Sequence, residues 1–225
     1  DGRTYSADEV TRDIRVRKYG DLCNTTYHLS DGFNLYTIQT SESFNIQGMN
    51  AGTLLFNAYK DWYGVNYFYV QFSTDNEVSW SDKHIELDSE NKDYTVLIPD
   101  GTTHLRFVTK TGATFYKYIS NIYVKQKMEL TPDTKQINET IYVNTPYERT
   151  IRVTYSDIPA IQTNLTQNTT NRLLLTPNQP VINNCGDFGT YDYTLSGEWS
   201  QPQTITETLR FFTSAGLPQI VSITL

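Results

Sequence analysis

Tyr67-Phe68-Tyr69-Val70-Gln71-Phe72 runs directly into Ser73-Thr74-Asp75-Asn76-Glu77-Val78-Ser79-Trp80. After Ser81-Asp82 comes Lys83-His84-Ile85-Glu86-Leu87-Asp88. The first six residues alternate. Phe68, Val70 and Phe72 fall on one face of an extended chain, Tyr67, Tyr69 and Gln71 on the other. The last six alternate again, with Ile85 and Leu87 on one side and His84, Glu86 and Asp88 on the other. Two period-2 segments flanking a short polar stretch predict a β-hairpin with one buried face.

Outward from this hairpin the same style continues. In the first half, Phe33–Gln39, Thr53–Tyr59, Tyr94–Ile98, His104–Thr109 and Ile119–Lys125 read as strands. Asp31-Gly32, Pro99-Asp100-Gly101 and Thr111-Gly112 read as turns between them. The one helical candidate is Ser6–Arg17, which is polar and weakly patterned. In the second half, the strand candidates are Thr140–Val143, Arg149–Tyr155, Arg172–Leu175, Tyr191–Leu195, Thr204–Phe212 and Gln219–Leu225. Gln162–Asn171 reads as an exposed Asn/Gln/Thr-rich loop. A boundary fits best at Lys125–Leu130, before Thr131-Pro132. It divides the chain into 1–127 and 128–225, and the second part is close to the ~100 residues of an immunoglobulin-like sandwich.

Composition narrows the chemistry. The 225 residues carry 19% charged side chains against ~25% in an average soluble protein, and a net charge of −7. Duplex nucleic acid and anionic lipid are therefore poor partners. No apolar run approaches the ~18–20 residues of a membrane-spanning helix. The chain starts at Asp1, as a processed or truncated chain would. Cys23 and Cys185 are the only cysteines, and His28, His84 and His104 are scattered. Neither a zinc-ligand spacing nor a C-x-x-C motif is present, so no metal or other cofactor is expected. With Cys23 in one expected domain and Cys185 in the other, the sequence predicts two unbridged, mostly buried thiols. The lone Cys185 of the second half also excludes the antibody-type pair between sheets. Tyr191 or Tyr193 is placed where a tyrosine corner would stand.

Three stretches of the first half, Gly48-Met49-Asn50-Ala51-Gly52-Thr53-Leu54-Leu55-Phe56, Tyr69-Val70-Gln71-Phe72-Ser73-Thr74-Asp75 and Tyr118-Ile119-Ser120-Asn121-Ile122-Tyr123-Val124, resemble the jelly-roll modules of secreted Bacteroidetes surface proteins. Arg149-Thr150-Ile151-Arg152-Val153-Thr154-Tyr155-Ser156 and Asn184-Cys185-Gly186-Asp187-Phe188-Gly189-Thr190-Tyr191 resemble the immunoglobulin-like module that often follows. The resemblance covers residues 30–225 and rests on framework residues. It implies an all-β chain, an N-terminal jelly-roll β-sandwich followed by an immunoglobulin-like β-sandwich. It also implies export to the cell surface, where some such proteins bind glycans or mediate adhesion.

Ser73–Trp80 resembles the Asp-box of sialidases, Ser-x-Asp-x-Gly-x-x-Trp, with Glu77 in place of Gly. In that motif the Asp closes a hairpin by accepting backbone N–H bonds and the Trp packs beneath it. It is a folding device, and no catalytic Arg/Tyr/Glu set accompanies it. Glu86 and Asp88 lie ~6.6–6.8 Å apart on one strand face, near the ~5–9.5 Å of glycosidase carboxylate pairs. Adjacent outward acids on one strand are more simply a solvated face. Asp75, Asp82, Glu86, Asp88 and Asp93 offer hard oxygen ligands for calcium, without an EF-hand loop. Sequons at Asn24, Asn138, Asn164 and Asn168 are acceptors only in a eukaryotic secreted protein.

The aromatic residues are the strongest binding candidates. Trp62 precedes the strand whose second face carries Tyr67 and Tyr69, with Asn66 and Gln71 beside them. Flat sugar C–H faces suit aromatic platforms, and amides suit sugar hydroxyls. The competing reading makes Trp62, Tyr67 and Tyr69 core residues, since strands favour Tyr. Trp80 and Trp199 read as structural. The expectation is a non-enzymatic extracellular binding or adhesion module that takes glycan or a surface protein. The alternative is a structural spacer within a larger surface protein, monomeric or part of a longer chain.

Overall fold

The computed structural model describes residues 11–13 (backbone only), 23–36, 38–61, 67–110, 116–166, 173–213 and 216–225. These residues are all-β, and their sheets are antiparallel except at one edge. No helix among them is long and apolar enough to cross a membrane. They form two compact units. The first holds Thr11–Asp13 and Thr25–Lys127, and the second holds Cys23, Asn24 and Met128–Leu225.

The first unit contains β1 (Thr11–Asp13), β2 (Thr26–Tyr36), β3 (Gln39–Thr40), β4 (Phe44–Asn45), β5 (Ala51–Lys60), β6 (Phe68–Ser73), β7 (Ser81–Ile85), β8 (Lys92–Leu97), β9 (His104–Thr109) and β10 (Tyr116–Gln126). One sheet has the order β1-β2-β10-β5-β8. The other has β3-β9-β6-β7, with β4 also on β9. The inward residues of both sheets share one core. At its centre, Phe107 lies 5.2 Å from Phe56, 5.6 Å from Phe33, 5.9 Å from Phe68 and 6.3 Å from Phe44, ring centre to ring centre. Phe33 and Phe56 come from one sheet, Phe68 and Phe44 from the other. Phe107 is therefore the contact that holds the sandwich closed, since aromatic rings bury large areas and gain further from edge-to-face geometry.

The expected hairpin is β6–β7, in register from Phe68 opposite Ile85 to Phe72 opposite Ser81. Phe68, Val70 and Phe72 are buried as the alternation required. Two local expectations fail. Asp31-Gly32 is not a turn but lies inside β2. Gly32 has φ +136°, and a Cβ there would meet the Ile119 carbonyl oxygen at 2.3 Å. The glycine admits the close approach of β10, whose ladder shifts register just beyond, between Ile122 and Tyr123. Of the helical candidate Ser6–Arg17, the described part is strand β1, paired to Thr26–His28.

The connection between β6 and β7 is built as the Asp-box likeness implies. Asp75 Oδ1 accepts from Ser73 Oγ at 2.8 Å and from Ser79 N at 2.9 Å, and Oδ2 accepts from Ser79 Oγ. Ser73 Oγ in turn accepts from Glu77 N at 2.8 Å. Asn76 and Glu77 have φ +54° and +70°. Glu77 thus occupies the left-handed conformation that favours Gly, held by a hydrogen bond from Ser43 Oγ to its carboxylate. Trp80 presents its ring to the Arg106 guanidinium at 3.9 Å.

The second unit contains β11 (Glu129–Pro132), β12 (Gln136–Asn138), β13 (Tyr147–Ser156), β14 (Ala160–Leu165), β15 (Leu174–Thr176), β16 (Val181–Ile182), β17 (Phe188–Gly197), β18 (Thr206–Phe212) and β19 (Gln219–Thr224). Its sheets have the orders β11-β13-β17-β15 and β12-β19-β18-β14-β16, with β12 parallel to β19. Ile151, Val153, Tyr193 and Leu195 of the first meet Ile161, Leu209, Phe211 and Val221 of the second in one core. Thr140–Val143, expected as a strand, is a loop, and Tyr142 stands 80% exposed. The expected loop Gln162–Asn171 begins instead as β14, which pairs with β18 from Gln162 opposite Phe212 to Leu165 opposite Leu209. Tyr193 is no tyrosine corner: it is fully buried and its hydroxyl has no partner among the described residues.

Cys23 and Cys185 form a disulfide, contrary to the expectation of free thiols, with Cα atoms 5.3 Å apart. That separation is within the ~7 Å a bridge requires. The expectation failed because Cys23 was assigned by chain position to the first domain, whereas it packs with the second unit. Cys23 is buried, and the turn beside Cys185 is fixed by Gly186 N donating to the buried Asp157 carboxylate at 3.0 Å.

Outcomes are expected for three of these features: the Phe107 ring, the disulfide and Asp75. Phe107→Ala should destabilise the first unit by about 3–5 kcal/mol in denaturant unfolding, and a loss below about 1 kcal/mol would contradict its central place. Thiol titration of denatured, unreduced protein should find no free thiol. Cys185→Ser should lower the stability of the second unit by about 2–5 kcal/mol. The lower end is expected, because much of the 162-residue span that the bridge closes is a unit with its own core. The third outcome concerns Asp75, whose pKa is held down to about 2, chiefly by the Ser79 hydroxyl and then the Ser79 amide. A depressed carboxyl stabilises the fold above its unfolded pKa near 4 and loses that contribution as pH falls through the folded value. Asp75→Ala should therefore melt below wild type at neutral pH, with the gap closing between pH 4 and 2.

Candidate functional site

The two sheets of the first unit expose very different outer faces. Tyr67, Tyr69 and Gln71 share the outer face of β6, as the alternation required. Gln71 is buried: its Nε2 donates to Asp82 at 2.7 Å, and its Oε1 accepts from Arg106 Nε at 2.7 Å. Lys110 pairs with Asp82 and lies 5.1 Å over the ring of Tyr69, whose other neighbour is His84 at 5.2 Å. The Lys110 bond is the chief reason the Asp82 carboxyl is held below its usual range. Trp80, Arg106, Gln71, Asp82, Lys110 and Tyr69 thus form a closed intramolecular chain. Tyr67, at the mouth of β6, is 42% exposed. Trp62 and Asn66 lie outside the described residues.

The outer face of β2, β10 and β5 carries a set that local sequence reasoning missed. Tyr116 stands opposite Tyr36, and Tyr118 opposite Tyr59. The ring centres lie 4.5 Å apart in Tyr36–Tyr116, 6.0 Å in Tyr116–Tyr118 and 4.5 Å in Tyr118–Tyr59. Tyr59 and Tyr118 are stacked face to face with 12° between their planes, whereas Tyr36 and Tyr116 are tilted by 32°. The row runs across β2, β10 and β5 with Tyr36 and Tyr59 at its ends; Tyr36 and Tyr116 are exposed, Tyr59 and Tyr118 half-buried. Desolvation, more than the neighbouring Asp61 and tyrosines, raises the Tyr118 phenol pKa, so the hydroxyl stays protonated and able to donate. The signal in the sequence was the spacing of Tyr116 and Tyr118; their partners become visible only once the strand order is known.

Two residues along β5 from Tyr59, the same face turns polar. Asn121 Nδ2 donates to Asn57 Oδ1 at 2.7 Å, and Asn57 Nδ2 donates to Asp93. Asn121 reaches this position because it sits at the β10 irregularity with φ +52°. Leu55, Asn57, Asp93, Thr95, Asn121 and Tyr123 surround a shallow cavity of about 280 Å³. A tyrosine row leading to an amide–carboxylate cluster places aromatic rings beside hydrogen-bonding groups on one face.

Glu86 and Asp88 follow the end of β7. Lys92 and the Glu90 amide hold Asp88 down to about 2. A carboxyl so depressed is ionised at neutral pH and unsuited to protonate a leaving group. Of the sequon residues, Asn24, Asn138 and Asn164 are exposed, and Asn168 lies outside the described residues.

No protein-family model matches the chain, and no curated protein matches it. Among solved structures, a β-1,2-glucanase from Parabacteroides distasonis is similar at a TM-score of 0.29 and 9% identity. The alignment covers 90% of this chain and 32% of that one, so the chain spans about a third of that enzyme's length.

Proposed function

We propose that the chain is a non-enzymatic glycan-binding or adhesion module of the bacterial cell surface, and that its first unit takes glycan across the outer face of β2, β10, β5 and β8. The observation that carries this reading is the tyrosine row continuing into the Asn57–Asn121–Asp93 cluster. Phenol hydroxyls, aromatic rings and amides answer sugar hydroxyls and C–H groups. Binding rather than hydrolysis is favoured because Asp93 is engaged by Asn57 and Asp88 by Lys92. The fold reading belongs here as well. The orders β2-β10-β5-β8 and β3-β9-β6-β7 support a jelly roll, in which eight strands fold as two Greek keys. The orders β11-β13-β17-β15 and β19-β18-β14 correspond to ABED and GFC, which supports an immunoglobulin-like second unit. Such a unit suits the role of spacer. Secretion to the cell surface fits this pair of modules.

A second location within the same reading is the mouth of β6, favoured by the exposure of Tyr67. The test is affinity electrophoresis in gels containing neutral soluble polysaccharides. Wild type should be retarded by at least one of them. Tyr59→Ser and Tyr118→Ser should each weaken retardation roughly threefold to tenfold, since one aromatic contact contributes about 0.5–1.5 kcal/mol. Tyr67→Ala should not change it, and circular dichroism should show all three variants folded. Loss of retardation in Tyr67→Ala alone would move the site to β6. No retardation of wild type by any neutral polysaccharide would leave the spacer role for the whole chain.

A further inference from the structure

The Cys23–Cys185 bridge closes a covalent ring, and the first unit lies almost wholly inside it. Strands β2 to β10, with every residue of that unit's core, fall between the two cysteines in the chain. Of its described residues, only the three of β1 lie outside. The chain enters this unit at Thr25 and leaves it at Lys127, while the preceding Asn24 and the following Met128 belong to the second unit. Entry and exit are neighbours. Thr25 O accepts from Gln126 N at 2.9 Å, and Thr26 stands opposite Lys125 in the β2–β10 ladder.

This placement decides how the first unit responds to a pull. Tension entering at Thr25 and leaving at Lys127 draws the joined ends of β2 and β10 apart. Hydrogen bonds of an antiparallel pair run perpendicular to its strands, so the pull lies along them and loads the end pair first. The bonds then fail one after another. β2 and β10 are neighbours within their sheet and carry Leu29, Leu35, Ile119, Ile122 and Val124 into the core, so this unzipping opens the core. The second unit is loaded differently. Its β12 and β19 are parallel, with Gln136 opposite Ser222 and Asn138 opposite Thr224. A pull on Met128 and Leu225 draws these strands lengthwise past each other, and their bonds share the load.

We infer that the disulfide is a load bypass for the first unit. Tension applied before Cys23 and after Cys185 draws β1 off the edge of β2, then crosses the sulfur–sulfur bond and does not reach β2 to β10. The first unit thus keeps its fold and its outer face while the chain is pulled. Reduction removes the bypass and makes this unit, the one loaded by unzipping, the weak link. The inference rests on chain connectivity and strand register, and it stands whichever face of the unit binds a ligand.

The test is single-molecule force spectroscopy of the full chain, held by handles on residues 1 and 225, before and after reduction with a phosphine. The oxidised protein should release no more than about 200 Å of chain, because only residues outside the ring can be drawn out, at ~3.4 Å each. The reduced protein should release roughly 550 Å more, the extended length of the 162-residue span. Its first large step should be about 350 Å, the extended length of Thr25–Lys127, at a lower force than the steps of the second unit. Unreduced Cys23→Ser, shown to be folded by circular dichroism, should repeat the reduced pattern. A step of about 350 Å in the oxidised protein would overturn the bypass. Second-unit steps preceding that step in the reduced protein would overturn the weak link, and with it the protective role of the bridge.

Discussion

The first unit depends on one ring. Phe107 is fully buried and touches phenylalanines from both sheets, so the two sheets cannot separate without exposing the whole cluster. That arrangement sorts the aromatic residues. Phe33, Phe44, Phe56, Phe68, Phe72 and Phe107 face the core, whereas Tyr36, Tyr59, Tyr67, Tyr69, Tyr116 and Tyr118 face outward. The hydroxyl explains the division. Burying it without a partner costs about 1–3 kcal/mol, while a phenol at the surface keeps water or a ligand as its partner. Two tyrosines do reach the core, and each has a partner: Tyr27 donates to Gln126 Oε1 at 3.0 Å, and the Tyr94 hydroxyl accepts from Asp88 N at 2.9 Å.

The second unit makes the opposite choice at one place. Tyr193 lies at the centre of an aliphatic core, 5.1 Å from Phe211, and burial pushes its phenol pKa far up. Tyr147 is likewise pushed up to about 12, chiefly by burial. The unit carries this burden together with a covalent tie, the Cys23–Cys185 bridge. The bridge anchors the turn before β17, the strand that carries Tyr193. On its outer face, β17 gives Asp192 to a bidentate pair with Arg152, and cross-strand threonines flank that pair. Such a surface is polar and satisfied within itself.

The sequence exposed whatever depends on neighbours in the chain. Strands β6, β9, β13 and β18 were legible because their apolar residues alternate, and Ser73–Trp80 was legible because its bonds join residues within four positions of each other. Asp31-Gly32 misled because the same pair serves a tight turn or a close strand contact, and only the Ile119 carbonyl decides between them. β14 was hidden because its Gln162, Thr163 and Asn164 look like a loop until β18 supplies their ladder. Cys23 was misplaced because packing, not chain position, fixes its unit. The tyrosine row was invisible for a related reason. Tyr36, Tyr59 and Tyr118 are distant in sequence and become neighbours only through the order β2-β10-β5.

The contrast between the two outer faces of the first unit follows from where charge falls. On the β6–β9 face, Arg106, Lys110 and Asp82 come within reach of one another, and each side chain between them is drawn into a bond. Gln71 has both amide ends occupied, and Tyr69 has a cation over its ring. A ligand there would have to break contacts before making its own. The β10–β5 face has tyrosine and asparagine where the other has arginine and lysine. Its members touch through rings and one short amide chain. The same residue types that looked alike in sequence therefore have different capacities. What separates them is whether an oppositely charged neighbour has already satisfied the polar groups.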